Sequence, residues 1–224
     1  MLSPVARNLS SRSIVKPAGA LLPANQSVIA ATGEIEGCGE DAPSYEITHY
    51  SSADGKSRQL CSRCFNAEIA KVSGVEGFDN TRLQLVGIAD CTGEMHLFHF
   101  VTRLLGNMVT LDAFEVQDGQ STGYQFQMIG DPEEDMFALL GRIVERIRKA
   151  LSFKHINDAG DGHGLQIVDR TVRGKIECGY SEDDSALSVI IDGQEISWQE
   201  FGFMLSTFEG WQFKLEIRDR SEEV

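Results

Sequence analysis

The chain has 224 residues, 34 of them acidic and 20 basic, for a formal net charge of −14. That balance argues against broad binding to nucleic acid or to an anionic membrane, because both are held by Lys and Arg that displace condensed cations. No apolar run reaches the roughly 20 residues that a membrane-spanning helix needs, while 42% hydrophobic residues suffice for one large core or two compact ones.

Residues 1–33 contain Arg7, Arg12 and Lys16 and no acid. Arg and Ser without acids is the composition of an organellar transit peptide, but Pro17 and Pro23 interrupt the amphipathic helix such a peptide forms. The reading adopted is a disordered tail, with a targeting segment as the alternative. Five cysteines (Cys38, Cys61, Cys64, Cys91 and Cys178) form an odd, sparse set. Such a set argues against a disulfide framework and for a reducing, cytoplasmic setting.

Residues 34–80 read as a small module. A strand is expected at Tyr45–Tyr50 and a turn at Asp54-Gly55, followed by "RQLCSRCFNAEIAKV" with Cys61 and Cys64 two residues apart. Phe65, Ile69 and Val72 then fall on one helical face, and Ser73-Gly74 ends the helix through a left-handed glycine.

Residues 81–156 read as an antiparallel meander with a packed helix. "LQLVGIAD", "MHLFHFVTRLL", "VTLDAFEV" and "GYQFQMIG" are separated by Thr92-Gly93, Gly106-Asn107 and Asp118-Gly119. Val109, Leu111, Ala113 and Glu115 share one face of the third strand. Asp131 then reads as the N-cap of a helix, with Pro132 in its first turn. Its apolar stripe is Met136, Leu140, Ile143, Ile147 and Leu151, widened by Phe137 and Val144.

"NDAGDGHG" (157–164) reads as a break before a C-terminal unit, residues 164–224. There Asp192-Gly193 is a two-residue hairpin turn, and Ser197 with Glu200 forms a capping box. Trp198, Phe201, Leu205 and Phe208 line one helical face. "WQFKLEIRD" alternates as a closing strand, and Phe203 lies off the stripe as part of an exposed apolar patch. The fold class expected is therefore α+β: a zinc-knuckle-like module, the meander and its helix, and a ββαβ-type unit.

Zinc takes four tetrahedral ligands, and two cysteines on a turn leading into a helix supply two of them. Cys38 offers a third. His49, at the far end of the following strand, is the nearest candidate of suitable type for the fourth, giving a Cys38/His49/Cys61/Cys64 set. Four protein ligands make such a zinc structural, whereas three cysteines alone would leave a position for water. Cys91 and Cys178 are expected to be buried thiols.

Other constellations carry less. Asp158, Asp161 and His163 share a loop and are able to bind a divalent ion for hydrolysis. His96 and His99 fall on opposite faces of one strand. "DGQSTG" (118–123) lacks the lysine of a phosphate loop, and "SEDD" (181–184) lacks the ligand spacing of a calcium loop. Lys56, Arg58 and Arg63 would have to share one exposed face for the knuckle to read nucleic acid.

"LCSRCFNAEIA", "DPEEDMFALLGRIVERIRKAL" and "IDGQEISWQEFGFMLSTFEGWQFKLEIRD" together resemble an uncharacterised bacterial family grouped as domains of unknown function, over residues 34–222. The resemblance implies a second C-x-x-C, but Ile35 stands where its first cysteine would be. It implies a bacterial cytoplasmic protein and no activity. The function expected is a non-enzymatic binding or adaptor protein with a structural zinc and a protein partner. The alternative is a metal-dependent hydrolase using the 158–163 loop or an open zinc.

Overall fold

The computed structural model describes residues 32–33, 35–51, 55–78, 80, 82–160, 164–178 and 187–219. The fold is α+β, built around two hydrophobic cores. Among the described residues no helix is long and apolar enough to cross a membrane.

The first segment pairs β1 (Thr32–Gly33) with β2 (Ala42–Pro43). A single 3₁₀ turn over Ser44–Glu46 leads into β3 (Ile47–Ser51), which forms an antiparallel pair with β4 (Ser57–Cys61). Gly55, at φ +80°, lies between them, while Asp54 of the expected turn falls outside the described residues. Helix α1 (Ser62–Ser73) follows β4 without a break and stops at Gly74, whose φ of +69° is the left-handed cap a glycine takes without strain. Phe65 is buried as its spacing predicts. Val72 is not, being 76% exposed. The second buried residue of α1 is a polar one, Asn66.

The central sheet is a four-stranded antiparallel meander in the order β5-β6-β7-β8, made of Val86–Ala89, Met95–Leu105, Met108–Gln117 and Gln120–Gly130. Phe98, Phe100 and Leu104 of β6 join Val109, Leu111 and Ala113 of β7 on one face. Against that face lies α2 (Met136–Leu151), which buries Leu139, Ile143, Ile147 and Leu151. The cap of α2 is displaced from its expected place. Asp135, not Asp131, accepts the hydrogen bond from the Phe137 amide, at 3.0 Å. Asp131 closes a preceding turn by accepting from the Glu133 amide, at 2.9 Å. The buried stripe also differs from the expected one: Leu139 enters the core and Phe137 is left 76% exposed.

The opposite face of β6 and β7 is mixed and carries a polar network. Asp112 is buried and accepts from Arg103 at 2.6 Å and from Gln127 at 2.7 Å. Arg103 continues to the Tyr45 carbonyl at 2.7 Å and Thr48 Oγ1 at 3.2 Å. One guanidinium thus ties the meander to the first segment while satisfying a buried carboxylate.

The C-terminal unit begins within the expected break. β9 (Ile156–Asp158) pairs with β10 (Leu165–Ile167), and Ile156 enters the second core beside Val189, Ile191, Ile196 and Met204. A three-stranded sheet follows in the order β11-β12-β13, made of Lys175–Cys178, Leu187–Ile191 and Gln194–Ser197. The turn at Asp192-Gly193 has φ +51° and +76°, both left-handed, as a two-residue hairpin demands. Ser197 caps α3 (Trp198–Leu205) by accepting from the Glu200 amide at 3.1 Å. The closing strand does not follow: 211–219 pairs with no strand among the described residues.

Candidate metal centre

Three of the four residues expected to hold zinc come together. The sulfurs of Cys38, Cys61 and Cys64 lie within 4.8 Å of one another, with Cys38 and Cys61 at 3.7 Å, and all three are free thiols. Their convergence follows from local structure. Cys61 ends β4 and is the residue just before α1, and Cys64 stands in the first turn of that helix. Cys38 arrives from the opposite side because the Glu36 amide donates to the Gln59 carbonyl at 2.9 Å, laying residues 36–38 along β4. Gly37 allows the approach. Its φ is +131°, and a Cβ there would sit 3.0 Å from Cys64 Sγ.

His49 is not part of the cluster. On β3 it stands opposite Gln59, two residues back along β4 from Cys61, and is exposed. The ring nitrogens of His49 do not lie within 4.8 Å of all three sulfurs. The pairing register, which the sequence does not print, decides this. Cys91 and Cys178, expected to be buried, are exposed. Of the loop set, Asp158 is exposed on β9 and accepts from the Gly160 amide, while Asp161 and His163 lie outside the described residues, as does 181–184.

The thiols differ in acidity. A backbone hydrogen bond from Glu40 favours the Cys38 thiolate and lowers its pKa. Burial, then hydrogen bonding to Cys61 and Cys38, pushes Cys64 up to about 11, although the Cys38 amide donates to its sulfur. Amide donors aimed at the sulfurs, beside a helix N-terminus, stabilise the thiolate form that ligates a metal. The nearby cations are engaged. Arg63 lies 3.7 Å and Arg82 3.2 Å from Glu40, and Arg58 lies 4.0 Å from Glu68 with its guanidinium over the Tyr50 ring.

A second group of ligand atoms, from Asp90, Glu94 and His96, lies at the start of β6. Here a side chain stands where a cation would. Lys154 Nζ is 3.1 Å from Asp90 Oδ2 and 3.7 Å from Glu94. Burial disfavours the Asp90 charge, but hydrogen bonds from Thr92, Lys154 and the Glu94 amide outweigh it and hold the pKa well below the carboxylate range. His96 Nδ1 meets Glu115 at 2.6 Å. Glu115 lies at a β-bulge between Phe114 and Val116, and its other oxygen accepts from the Tyr124 amide at 2.8 Å. His99, on the opposite face as expected, meets Glu46 at 2.7 Å.

Glu46 yields a pH dependence. Burial opposes its ionisation, but the hydrogen bond and charge of His99, with Arg82 and Arg103, hold its pKa below normal. A depressed carboxylate pKa contributes stability that is present above the unfolded value, about 4.3, and is lost as pH falls through the folded one. Denaturant unfolding followed from pH 6 to pH 3 is expected to show falling stability, and Glu46→Gln is expected to flatten that slope. An unchanged slope in the variant would assign the loss to other carboxylates.

Beside the sulfur cluster, a cavity of about 50 Å³ lies between α1 and β6, lined by Glu46, Asn66, Asn80, Arg82 and His99 among others. That is room for one or two waters.

Three family models match successive segments of the chain, each described as a domain of unknown function: DUF7685 on residues 36–76, DUF7686 on 79–152 and DUF7713 on 155–222. Domains of unknown function thus cover most of residues 36–222, consistent with the resemblance to an uncharacterised family of such domains. No curated protein and no solved structure matches it.

Proposed function

We propose that this protein is a non-enzymatic binding protein whose first module is held by a structural zinc ion on Cys38, Cys61 and Cys64. One observation carries the metal: three free sulfurs converge at the spacing zinc requires. Zinc–sulfur bonds of about 2.3 Å in a tetrahedron put sulfurs about 3.8 Å apart, and Cys38 and Cys61 stand at 3.7 Å. An all-sulfur set favours zinc over the hard cations that prefer oxygen. The ion cross-links residues 38, 61 and 64 and so fastens the chain entering the module to the strand and helix that form its base.

Three protein ligands are also the count of a catalytic zinc. Glu36 and Glu40 each stand two residues from Cys38, and both Arg63 and Arg82 engage Glu40. That pairing favours the structural role. A protein partner suits the −14 charge and the exposed Trp198 and Phe203, and a basic protein surface is the complement.

The test is elemental analysis of protein purified without added metal. Wild type is expected to carry about one zinc per chain, and Cys61→Ser, Cys64→Ser and Cys38→Ser each to lose most of it. Cys91→Ser and Cys178→Ser are the controls and are expected to keep it. Metal-free wild type that takes up no zinc on titration would overturn the reading.

A further inference from the structure

A second set of ligand atoms gathers where β5 turns into β6. The turn is tight and fastened: the Asp90 amide donates to the Glu94 carbonyl at 2.8 Å, and the Cys91 amide donates to the Leu151 carbonyl at the end of α2, at 2.9 Å. Asp90 Oδ1 accepts from the Thr92 amide, the Thr92 hydroxyl and the Glu94 amide, at 2.8, 2.7 and 2.9 Å. That oxygen is fully used. The other, Oδ2, faces His96 Nε2 across 3.7 Å, with the Asp90 side chain 2% exposed and that of His96 11%.

The imidazole is oriented as a metal ligand is. His96 Nδ1 meets Glu115 at 2.6 Å, and a carboxylate only accepts, so the proton between them belongs to Nδ1 and Nε2 turns a lone pair toward Asp90. Glu115 is itself held, because its other oxygen accepts from the Tyr124 amide and a Cβ on Gly123 would strike it. Both Nε2 and Asp90 Oδ2 are buried, and apart from Lys154 no donor among the described residues reaches either. Two buried acceptors that face one another repel and have given up their hydrogen bonds to water. A second proton on Nε2 would not help, since Oδ2 at 3.7 Å is beyond hydrogen-bond reach. A cation between them would. Lys154 supplies one in part: Nζ lies 3.1 Å from Asp90 Oδ2 and 3.7 Å from Glu94, but it makes no hydrogen bond to His96 Nε2.

We propose that Asp90, Glu94 and His96 form a second metal site, for a divalent transition-metal ion, which Lys154 fills until the ion displaces its ammonium. The three ligand atoms lie within 4.8 Å of one another. Zinc with bonds of about 2.1 Å in a tetrahedron puts ligand atoms about 3.4 Å apart, close to the separation of Oδ2 and Nε2. One imidazole with two carboxylates selects against magnesium and calcium on one side and against soft copper(I) on the other. Displacement is open to an incoming ion, because Lys154 is 38% and Glu94 65% exposed, and the ammonium can return to water. The site shares no residue with the sulfur cluster and does not depend on it.

The test is zinc titration of metal-free, full-length protein, read by competition with a chromophoric chelator. Wild type is expected to take up an equivalent that His96→Ala loses and Glu94→Gln weakens. Glu115→Gln touches no ion and is expected to weaken it about 10–100-fold through the imidazole. Lys154→Met removes the competing cation and is expected to tighten the same equivalent about tenfold. A lysine that merely neutralised two acids would leave no such gain. The Glu94 and Lys154 side chains are exposed, so those two variants keep the fold, and circular dichroism checks it. Cys61→Ser is expected to leave this equivalent in place, so the two sites are counted separately and either can fail alone. Cys91→Ser is expected to leave it too. Wild type without an equivalent sensitive to His96 and Glu94, a Lys154→Met variant that binds no more tightly than wild type, or an equivalent lost with Cys91 would each overturn the proposal.

Discussion

Removing zinc with a chelator is expected to raise amide hydrogen exchange at residues 36–43 and 57–61 by at least about 100-fold, while β6 and β7 keep their protection. The reason is the small apolar content of the first segment. Its buried hydrophobic residues are Ala42, Leu60, Cys61 and Phe65, and segments near 40 residues seldom fold without a metal, a disulfide or a partner. Residues 36–40 are held by one backbone hydrogen bond to β4, the ion pairs of Glu40 with Arg63 and Arg82, and the sulfur cluster. Helix α1 has a separate attachment, since Ile69 and Ala70 pack against the central core. The expected outcome is therefore local: the incoming chain and β4 loosen while α1 stays docked. Cys61→Ser should reproduce the chelated state without chelator. Exchange at 36–43 that does not respond to chelation would mean that packing alone holds the segment and that the cysteines are bystanders.

Local patterns made the meander legible. β6, β7 and β8 lie within a few residues of the quoted runs, because strict alternation and glycine turns need no information from elsewhere in the chain. The Cys61/Cys64 half of the site was legible for the same reason. Cys38 required only a cysteine upstream, but its route, through the glycine at φ +131° and the amide bond to Gln59, could not be read from spacing. His49 stands outside the sulfur group: strand alternation says which face a residue takes and not how far along the partner strand it stands, and His49 lies opposite Gln59. The cap of α2 could not be fixed from the sequence because Asp131 and Asp135 both precede amides they can bind, and each binds one. The closing strand expected at 211–219 is not a strand in the structure, since alternation is silent about whether a partner completes the ladder.

Asn66 is where substitution is expected to cost most in the folded chain, and nothing in the cysteine motif announces it. β5 pairs with β6 only as far as Phe98, so the second half of β6 presents an open edge. The Asn66 carboxamide docks there as a strand would. Its nitrogen donates to the Thr102 carbonyl at 2.9 Å, and its oxygen accepts from the Leu104 amide at 2.8 Å. The same nitrogen donates to Asn80 Oδ1 at 2.8 Å. The side chain is buried, so water cannot replace these bonds without rearrangement. Asn66→Ala strips partners from a buried amide, a carbonyl and Asn80 at once. At about 1–3 kcal/mol for each buried polar group left unpaired, with some relief from an entering water, a loss of about 3–5 kcal/mol in unfolding free energy is expected. Asn66→Leu has the bulk to fill the space but makes none of the bonds, and is expected to be about as damaging. Asn66→Asp keeps the acceptor for Leu104 but faces the Thr102 carbonyl and Asn80 with a charge, and should not rescue. Because the carboxamide joins α1 to the sheet alongside Ile69 and Ala70, the metal module should also lose part of its base. Zinc affinity is therefore expected to fall in Asn66→Ala although no ligand has been touched. Chemical denaturation and zinc titration of that variant measure the two effects separately. A variant with wild-type stability would show that the edge of β6 is satisfied in some other way.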